Sequence, residues 1–416
     1  MSLLTYFVLT SITEMAAFMP VRGASMSYEA QRFVSPSLGF AMGWLYVYAY
    51  AIIIPFELTA VTLQIQFWNT SVNMGVWNTL ALVVVVVINV LSVRVYGDSE
   101  TVFAGMKQLT IFGLLILSVV LFWGGGPTHD RIAFRYWETP GATKTMLADG
   151  DSGRFIAALS SLIASVLPFT FTAEMMATTA GEVQTPRKTI PKMQLHFVLR
   201  LFLFFIGSAL STSIICPHDN ENLLGGGVAA SPWIIGLRLA GTNTLDVVLS
   251  VAFILATISA ANTVDFLSSR CLQALAMEGN APSIFKRCNA QGTPIYAVAA
   301  VSMVGLLVYL NLSAGGENVF NWLINLVNMG GFLSWCGSSI VYLRFDKACN
   351  IQSVVTTKLA KRSFLQPYAS WFALVTFALL GLLNGFTVFF PSEGSATNFL
   401  SAYLGLPVFL ACYFIH

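Results

Sequence analysis

The chain has 416 residues, 56% of them hydrophobic and only 10% charged, with a net charge of +2. A soluble domain carries about 25% charged residues, so a water-facing globular surface is excluded, and a near-neutral balance leaves no electrostatic footprint for nucleic acid. Apolar stretches of about 18 residues or more recur along the whole sequence, the length a helix needs to cross a hydrocarbon core, whereas a transmembrane barrel would show alternating segments of about 10 residues.

The sequence predicts one all-α membrane domain, residues 1–416, with about eleven crossings. The first span, 1–19, has no preceding Lys or Arg and no small-residue cleavage site, so it reads as a helix rather than a signal peptide, and it carries Glu14. The second, 38–66, places Tyr46, Tyr50, Ile53 and Glu57 on one face. Those tyrosines either close a substrate pocket or simply pack, each hydroxyl bonded to a neighbour. After 76–92 comes 103–124, opened by Lys107, whose plain role is a basic flank snorkelling to headgroups.

The fifth span, 155–180, carries Pro168 near its middle, followed by Thr170, Phe171, Thr172, Ala173 and Glu174. Proline cannot donate a backbone hydrogen bond and clashes with the preceding turn, which frees carbonyls nearby. Such carbonyls hold substrate or ion in broken-helix transporters, although membrane helices also tolerate a simple proline kink. Beyond 195–215, the span 244–268 aligns Ser259, Asn262, Asp265 and, just past it, Ser269 in a polar stripe. After 295–311, the span 318–343 aligns Asn321, Asn325 and Asn328 in a second one. Either stripe is interhelical glue or the lining of a polar path. The last spans are 370–390 and 397–416, and the longest loops are 125–154, 216–243 and 344–369.

Numbering the loops alternately puts Arg131, Arg135, Lys144, Arg154 and Arg238 on one side and the other sixteen basic residues on the opposite side. The basic side is cytoplasmic, so the N-terminus is outside and the C-terminus inside. Two glycosylation sequons, Asn69-Thr70-Ser71 and Asn311-Leu312-Ser313, fall in outside loops. The six cysteines show neither CxxC nor Cys/His spacing and read as free thiols. No nucleophile–base pair or metal-ligand spacing stands out, so the expectation is no enzyme, no metal and no cofactor.

Several stretches together resemble one family. Glu14-Met15-Ala16, Arg32-Phe33-Val34, Gly39-Phe40-Ala41-Met42-Gly43-Trp44 and Pro55-Phe56-Glu57-Leu58-Thr59-Ala60 look like the second and third helices of fungal amino acid permeases. Ala180-Gly181-Glu182, Pro186-Arg187-Lys188 and Ile190-Pro191-Lys192 resemble the loop after the sixth helix. Ser259-Ala260-Ala261-Asn262, Ser269-Arg270, Leu275-Ala276 and Gly279-Asn280-Ala281-Pro282 resemble the eighth helix and its loop, and Gln366-Pro367-Tyr368 resembles the approach to the eleventh. The ordered set points to the yeast branch of the amino acid–polyamine–organocation superfamily.

That resemblance implies a leucine-transporter-like bundle of inverted five-helix repeats plus two helices, of which Met1 opens on the second, with the first absent from this sequence. It implies proton-coupled uptake of L-amino acids at the plasma membrane by alternating access. Phe169, Thr170, Phe171, Thr172, Ala173 and Glu174 then mark the sixth-helix break, where carbonyls take the α-ammonium. Thr172 stands where the family's Phe-x-Gly-x-Glu has glycine. Lys107 matches a fifth-helix lysine implied in proton coupling. Tyr50, Glu57, Ser259, Asn262, Asp265, Asn321 and Asn325 are expected along the polar pathway, with no cofactor beyond the proton. The partners expected are an L-amino acid and the lipid bilayer. The alternatives are a non-transporting amino acid sensor and a permease for another amine, a polyamine or γ-aminobutyrate.

Overall fold

The structure, a computed structural model, describes all residues except 21–24, 67–70, 92, 128, 181, 182, 184, 225–230, 243, 244, 315, 354–362 and 391–393. The Asn69 sequon, Gly181 and Glu182 of the loop motif, and Arg22, Lys358, Lys361 and Arg362 of the basic set lie outside the described residues. Among the described residues there is no strand. In chain order the helices are α1 (Ser2–Phe18), α2 (Met26–Phe33), α3 (Pro36–Gln66), α4 (Met74–Val90), α5 (Val93–Phe122), α6 (Gly150–Ala164) and α7 (Glu174–Ala180). They continue as α8 (Pro186–Arg200), α9 (Gly207–Ile215), α10 (Pro232–Leu239), α11 (Leu245–Glu278), α12 (Ile295–Val304), α13 (Asn311–Ala314), α14 (Gly316–Ile351), α15 (Tyr368–Leu382), α16 (Ala396–Tyr403) and α17 (Gly405–Ile415).

Six segments are long and apolar enough to cross a bilayer: Pro36–Gln66, Arg94–Phe122, Gly150–Ala177, Pro186–Ile215, Leu245–Glu278 and Asn318–Ile351. The pair α16–α17, bent by 46°, makes a seventh, and four shorter apolar helices occupy Ser2–Phe18, Met74–Val90, Ile295–Leu310 and Tyr368–Leu382. Together these occupy the eleven stretches that the apolar pattern marks.

The boundaries differ from the sequence expectation in one consistent way. Helix α5 begins ten residues before the expected 103, so Lys107 sits within the helix rather than opening it. Helices α8, α11 and α14 likewise run past their apolar cores, α11 to Glu278 and α14 to Ile351. Charged residues continue the helices at these ends, and at the start of α5 Arg94 and Asp98 form an exposed i,i+4 pair at 4.0 Å. Helix α10 lies in the stretch 216–243 expected as loop. Asn311 of the second sequon is buried at the start of α13, and its amide donates to Thr59 at 3.1 Å.

Helices α3 and α14 form the spine. In each, 72% of the apolar window is buried, against 17% in Arg94–Phe122. Their shared core gathers Met42 and Tyr46 of α3, Val8 and Ile12 of α1, Val166 and Phe171, and Trp335 of α14.

Short α2, outside the crossing segments, docks across one end of this core. Its Glu29 is buried beside a small cleft lined by Met15, Met19, Met26 and Ala177. Burial there pushes its carboxyl up from 4.5 to about 7, with Arg32 opposing. A folded-state value above the unfolded one means that the folded form holds the proton longer. Docking of α2 is therefore strongest below about pH 4.5 and weakens as pH rises to about 7, by on the order of 3 kcal/mol. Glu29→Gln is expected to flatten that dependence. Thermal melts of the purified protein at about pH 5 and pH 8 read it out, and a melting point whose pH slope survives the substitution assigns the slope to another group.

Candidate functional site

The centre of the molecule is a helix that stops and restarts. Helix α6 ends at Ala164, a short turn spans Leu167–Phe169, and α7 resumes at Glu174. Pro168 removes a donor where the ladder needs one, and Phe171 turns the chain with φ of 61°. That left-handed conformation is costly for a bulky side chain and persists only where surrounding packing over-determines it. The packing is visible: the Phe171 ring is buried, 4.8 Å from Tyr50 and edge-on to Tyr46 at 6.0 Å.

The carbonyls around the break are less available than the sequence suggests. The Thr170 hydroxyl donates to Val166 O at 3.0 Å and the Thr172 hydroxyl to Phe169 O at 2.7 Å. Thr170 N also donates to Leu167 O at 3.2 Å. Thr172, where the resembled motif has glycine, thus turns its hydroxyl back on its own segment. Phe169 faces away, its ring 4.4 Å from Phe205, and Ala173 is fully buried.

The break lies against α14 at two glycines. A Cβ on Gly331 would sit 2.9 Å from Thr170 Oγ1, and one on Gly330 3.0 Å from the Ala49 Cβ of α3. Three residues further along, Ser334 donates to a Glu174 carboxylate oxygen and lies 3.2 Å from the Tyr46 hydroxyl. Tyr46, Glu174 and Ser334 are all buried. The break, α3 and α14 therefore meet in an aromatic wall (Tyr46, Tyr50, Phe171) beside one acid.

A second polar centre lies between α5 and α11. Lys107 Nζ donates to Ser259 Oγ at 2.8 Å, Ser259 Oγ donates to Glu100 Oε2 at 2.8 Å, and Lys107 and Glu100 lie 3.6 Å apart. Half-buried Glu57 of α3 is near enough to interact electrostatically with Lys107.

The remaining expected pathway residues go to different neighbours. Asn262 accepts from Asn89 of α4 at 2.8 Å, and Asp265 accepts from Ser302 of α12 at 3.1 Å. In the stripe of α11, only Ser259 reaches Lys107. Asn325 approaches Ser401 of α16 at 3.5 Å, and Asn321 is exposed, so these two are taken up apart from the Tyr46–Glu174–Ser334 cluster. Sequence reading missed Ser334 and Glu100. For Glu100 a signal existed, since seven residues before Lys107 is the same helical face within about 20°.

The sequence model of the amino acid permease family matches residues 1–416. A proline-specific permease of Emericella nidulans is 41% identical over 100% of this chain and 76% of its own length. The proline-specific permease of Saccharomyces cerevisiae is 37% identical, over 100% of this chain and 68% of its length. A dicarboxylic amino acid permease of the same yeast is 35% identical over 98% of this chain and 68% of its length. Among solved structures, an Eremococcus coleocola manganese transporter superposes with a TM-score of 0.60, covering 99% of this chain and 84% of that one, at 14% identity, a likeness of fold.

Proposed function

This chain belongs to the amino acid permease family, a transporter of amino acids rather than an enzyme, and from that premise we propose that it carries L-proline inward across the plasma membrane, driven by protons. Its described helices then stand for the second to twelfth crossings of the permease bundle, with the N-terminal end of α1 outside and α17 ending inside. The observation that carries the reading is the break between Ala164 and Glu174, walled by Tyr46, Tyr50 and Phe171. A break in a membrane helix takes backbone groups out of the regular ladder and leaves those not recaptured within the segment for a ligand.

Two features support proline within that class. Two relatives at 41% and 37% identity are named as proline-specific. A secondary ammonium has two N–H donors where other amino acids have three, so it asks for fewer acceptors. The break has already committed the Val166, Leu167 and Phe169 carbonyls. A compact, apolar ring also suits the aromatic wall. Glu174 lies where it faces the ammonium, and Lys107, with Glu57 nearby, is the proton-coupling group.

The test is uptake of labelled L-proline by fungal cells lacking their own proline transport. Concentrative uptake at about pH 5 is expected to collapse with a protonophore. Excess unlabelled proline should compete, and excess glutamate or lysine should compete at least about tenfold less well. Protonophore-insensitive uptake removes the proton from this account, and competition by glutamate or lysine equal to that by proline removes proline.

A further inference from the structure

The Lys107 centre contains a residue that the proposed coupling does not use. Glu100 precedes Lys107 by seven residues on α5, so the two side chains share a face about two turns apart. Long helical side chains lean toward the N-terminus, which brings the ammonium down toward Glu100. The direct separation of 3.6 Å exceeds a hydrogen bond, whereas both links through Ser259 are 2.8 Å. The hydroxyl therefore accepts from the ammonium and donates to the carboxylate, the directional arrangement of a one-step relay.

An anchoring ion pair is the competing explanation. An ion pair needs no hydroxyl between its partners, whereas here a serine of α11 bridges two part-exposed side chains at 2.8 Å on each side. Nor does another charge claim Lys107 from the helices packed on α5. Helices α4 and α9 carry no titratable side chain. On α11, Asp246 pairs with Arg238, Asp265 bonds to Ser302, Arg270 stacks over Phe266 and Glu278 bonds to Asn280 near the far end; Cys271 packs into the apolar core. Glu57 of α3 also interacts electrostatically with Lys107.

We propose that Glu100, reached through the Ser259 hydroxyl, is the exit acceptor for the proton carried by Lys107. This rests on reading Lys107 as the coupling group. In the step, the ammonium gives a proton to Ser259 Oγ as the serine gives its own to Glu100. Lys107 ends as a neutral amine, Ser259 ends as it began, and Glu100 ends as a carboxylic acid. The acid then releases its proton to water at the N-terminal end of α5, on the side with most basic residues. Glu57, which also interacts electrostatically with Lys107, is the residue from which the ammonium is refilled.

The experiment uses the full protein in proteoliposomes with labelled L-proline, comparing pH-gradient-driven accumulation with exchange at equal pH. Lys107→Met tests the underlying reading: accumulation equal to that of the unmodified protein refutes it. With that variant defective, Glu100→Gln and Ser259→Ala are each expected to lower the ratio of accumulation to exchange at least about tenfold. Ser259→Thr, which keeps the hydroxyl, restores that ratio to within about threefold. The relay is overturned if Glu100→Gln and Ser259→Ala accumulate normally. It is equally overturned if they lose exchange in proportion, which is the signature of an anchor, or if Ser259→Thr is no better than Ser259→Ala.

Discussion

Glu174→Ala is expected to lower the efficiency of uptake at least about a hundredfold, a change of roughly 2.7 kcal/mol. The carboxylate is 3% exposed and receives the hydroxyl of Ser334, itself fully buried. Truncation takes the carboxylate away and leaves that hydroxyl only its longer contact to Tyr46 at 3.2 Å, and a buried hydrogen bond to a charged group is worth about 1.5–3 kcal/mol. On the function proposed above, the same change also removes the acid assigned to the substrate ammonium. Glu174→Gln separates the two contributions, because the amide oxygen still accepts from Ser334 while the negative charge is gone. It is expected to sit in the membrane like the unmodified protein and still lose most of the effect in KM. Initial rates normalised to surface protein make the comparison. Glu174→Ala within about threefold of the unmodified protein would remove Glu174 from the site.

The bundle was legible because bilayer length and apolar composition leave few alternatives, and the break was legible because Pro168 has one mechanical consequence wherever a helix needs its N–H. Helix ends were not legible. Arg94, Asp98 and Glu100 look like loop when hydropathy alone is read, yet α5 carries them because a helix leaving hydrocarbon has no reason to stop at the interface. The eight residues of α2 are too few to display a period.

The site was half legible for a related reason. Periodicity assigns residues to a face and says nothing about which neighbour that face meets. Tyr46, Tyr50 and Glu57 share one face of α3, but the first two meet Phe171 whereas Glu57 lies toward Lys107. Ser259, Asn262 and Asp265 share one face of α11, and three different helices take them up. Ser334 had no distinguishing signal, since α14 holds Ser338 and Ser339 within the next five positions and only the fold brings Glu174 to the first of the three.

Gly331→Ala is expected to reduce uptake about tenfold or more, and Thr170→Ala in the same protein is expected to recover most of it. The added methyl would lie 2.9 Å from Thr170 Oγ1, 3.0 Å from Thr170 Cγ2 and 3.3 Å from Val166 Cγ1. Both neighbours are β-branched and stiff at χ1, and the Thr170 hydroxyl is tied to Val166 O at 3.0 Å, so neither side chain swings away cheaply. Overpacking of this kind costs about 1–3 kcal/mol, and here the strain falls on the broken segment, the part of the proposed site that packs against the spine helix α14. Removing both Thr170 atoms leaves the Val166 contact at 3.3 Å as the nearest, which a few tenths of an ångström relieve. A double-mutant cycle on uptake and on thermal stability should therefore show a coupling of at least about 1 kcal/mol of opposite sign to the single losses. If the double variant is no better than Gly331→Ala alone, the glycine is not there to admit the broken segment, and the contact between α14 and Thr170 loses its place in the transport cycle.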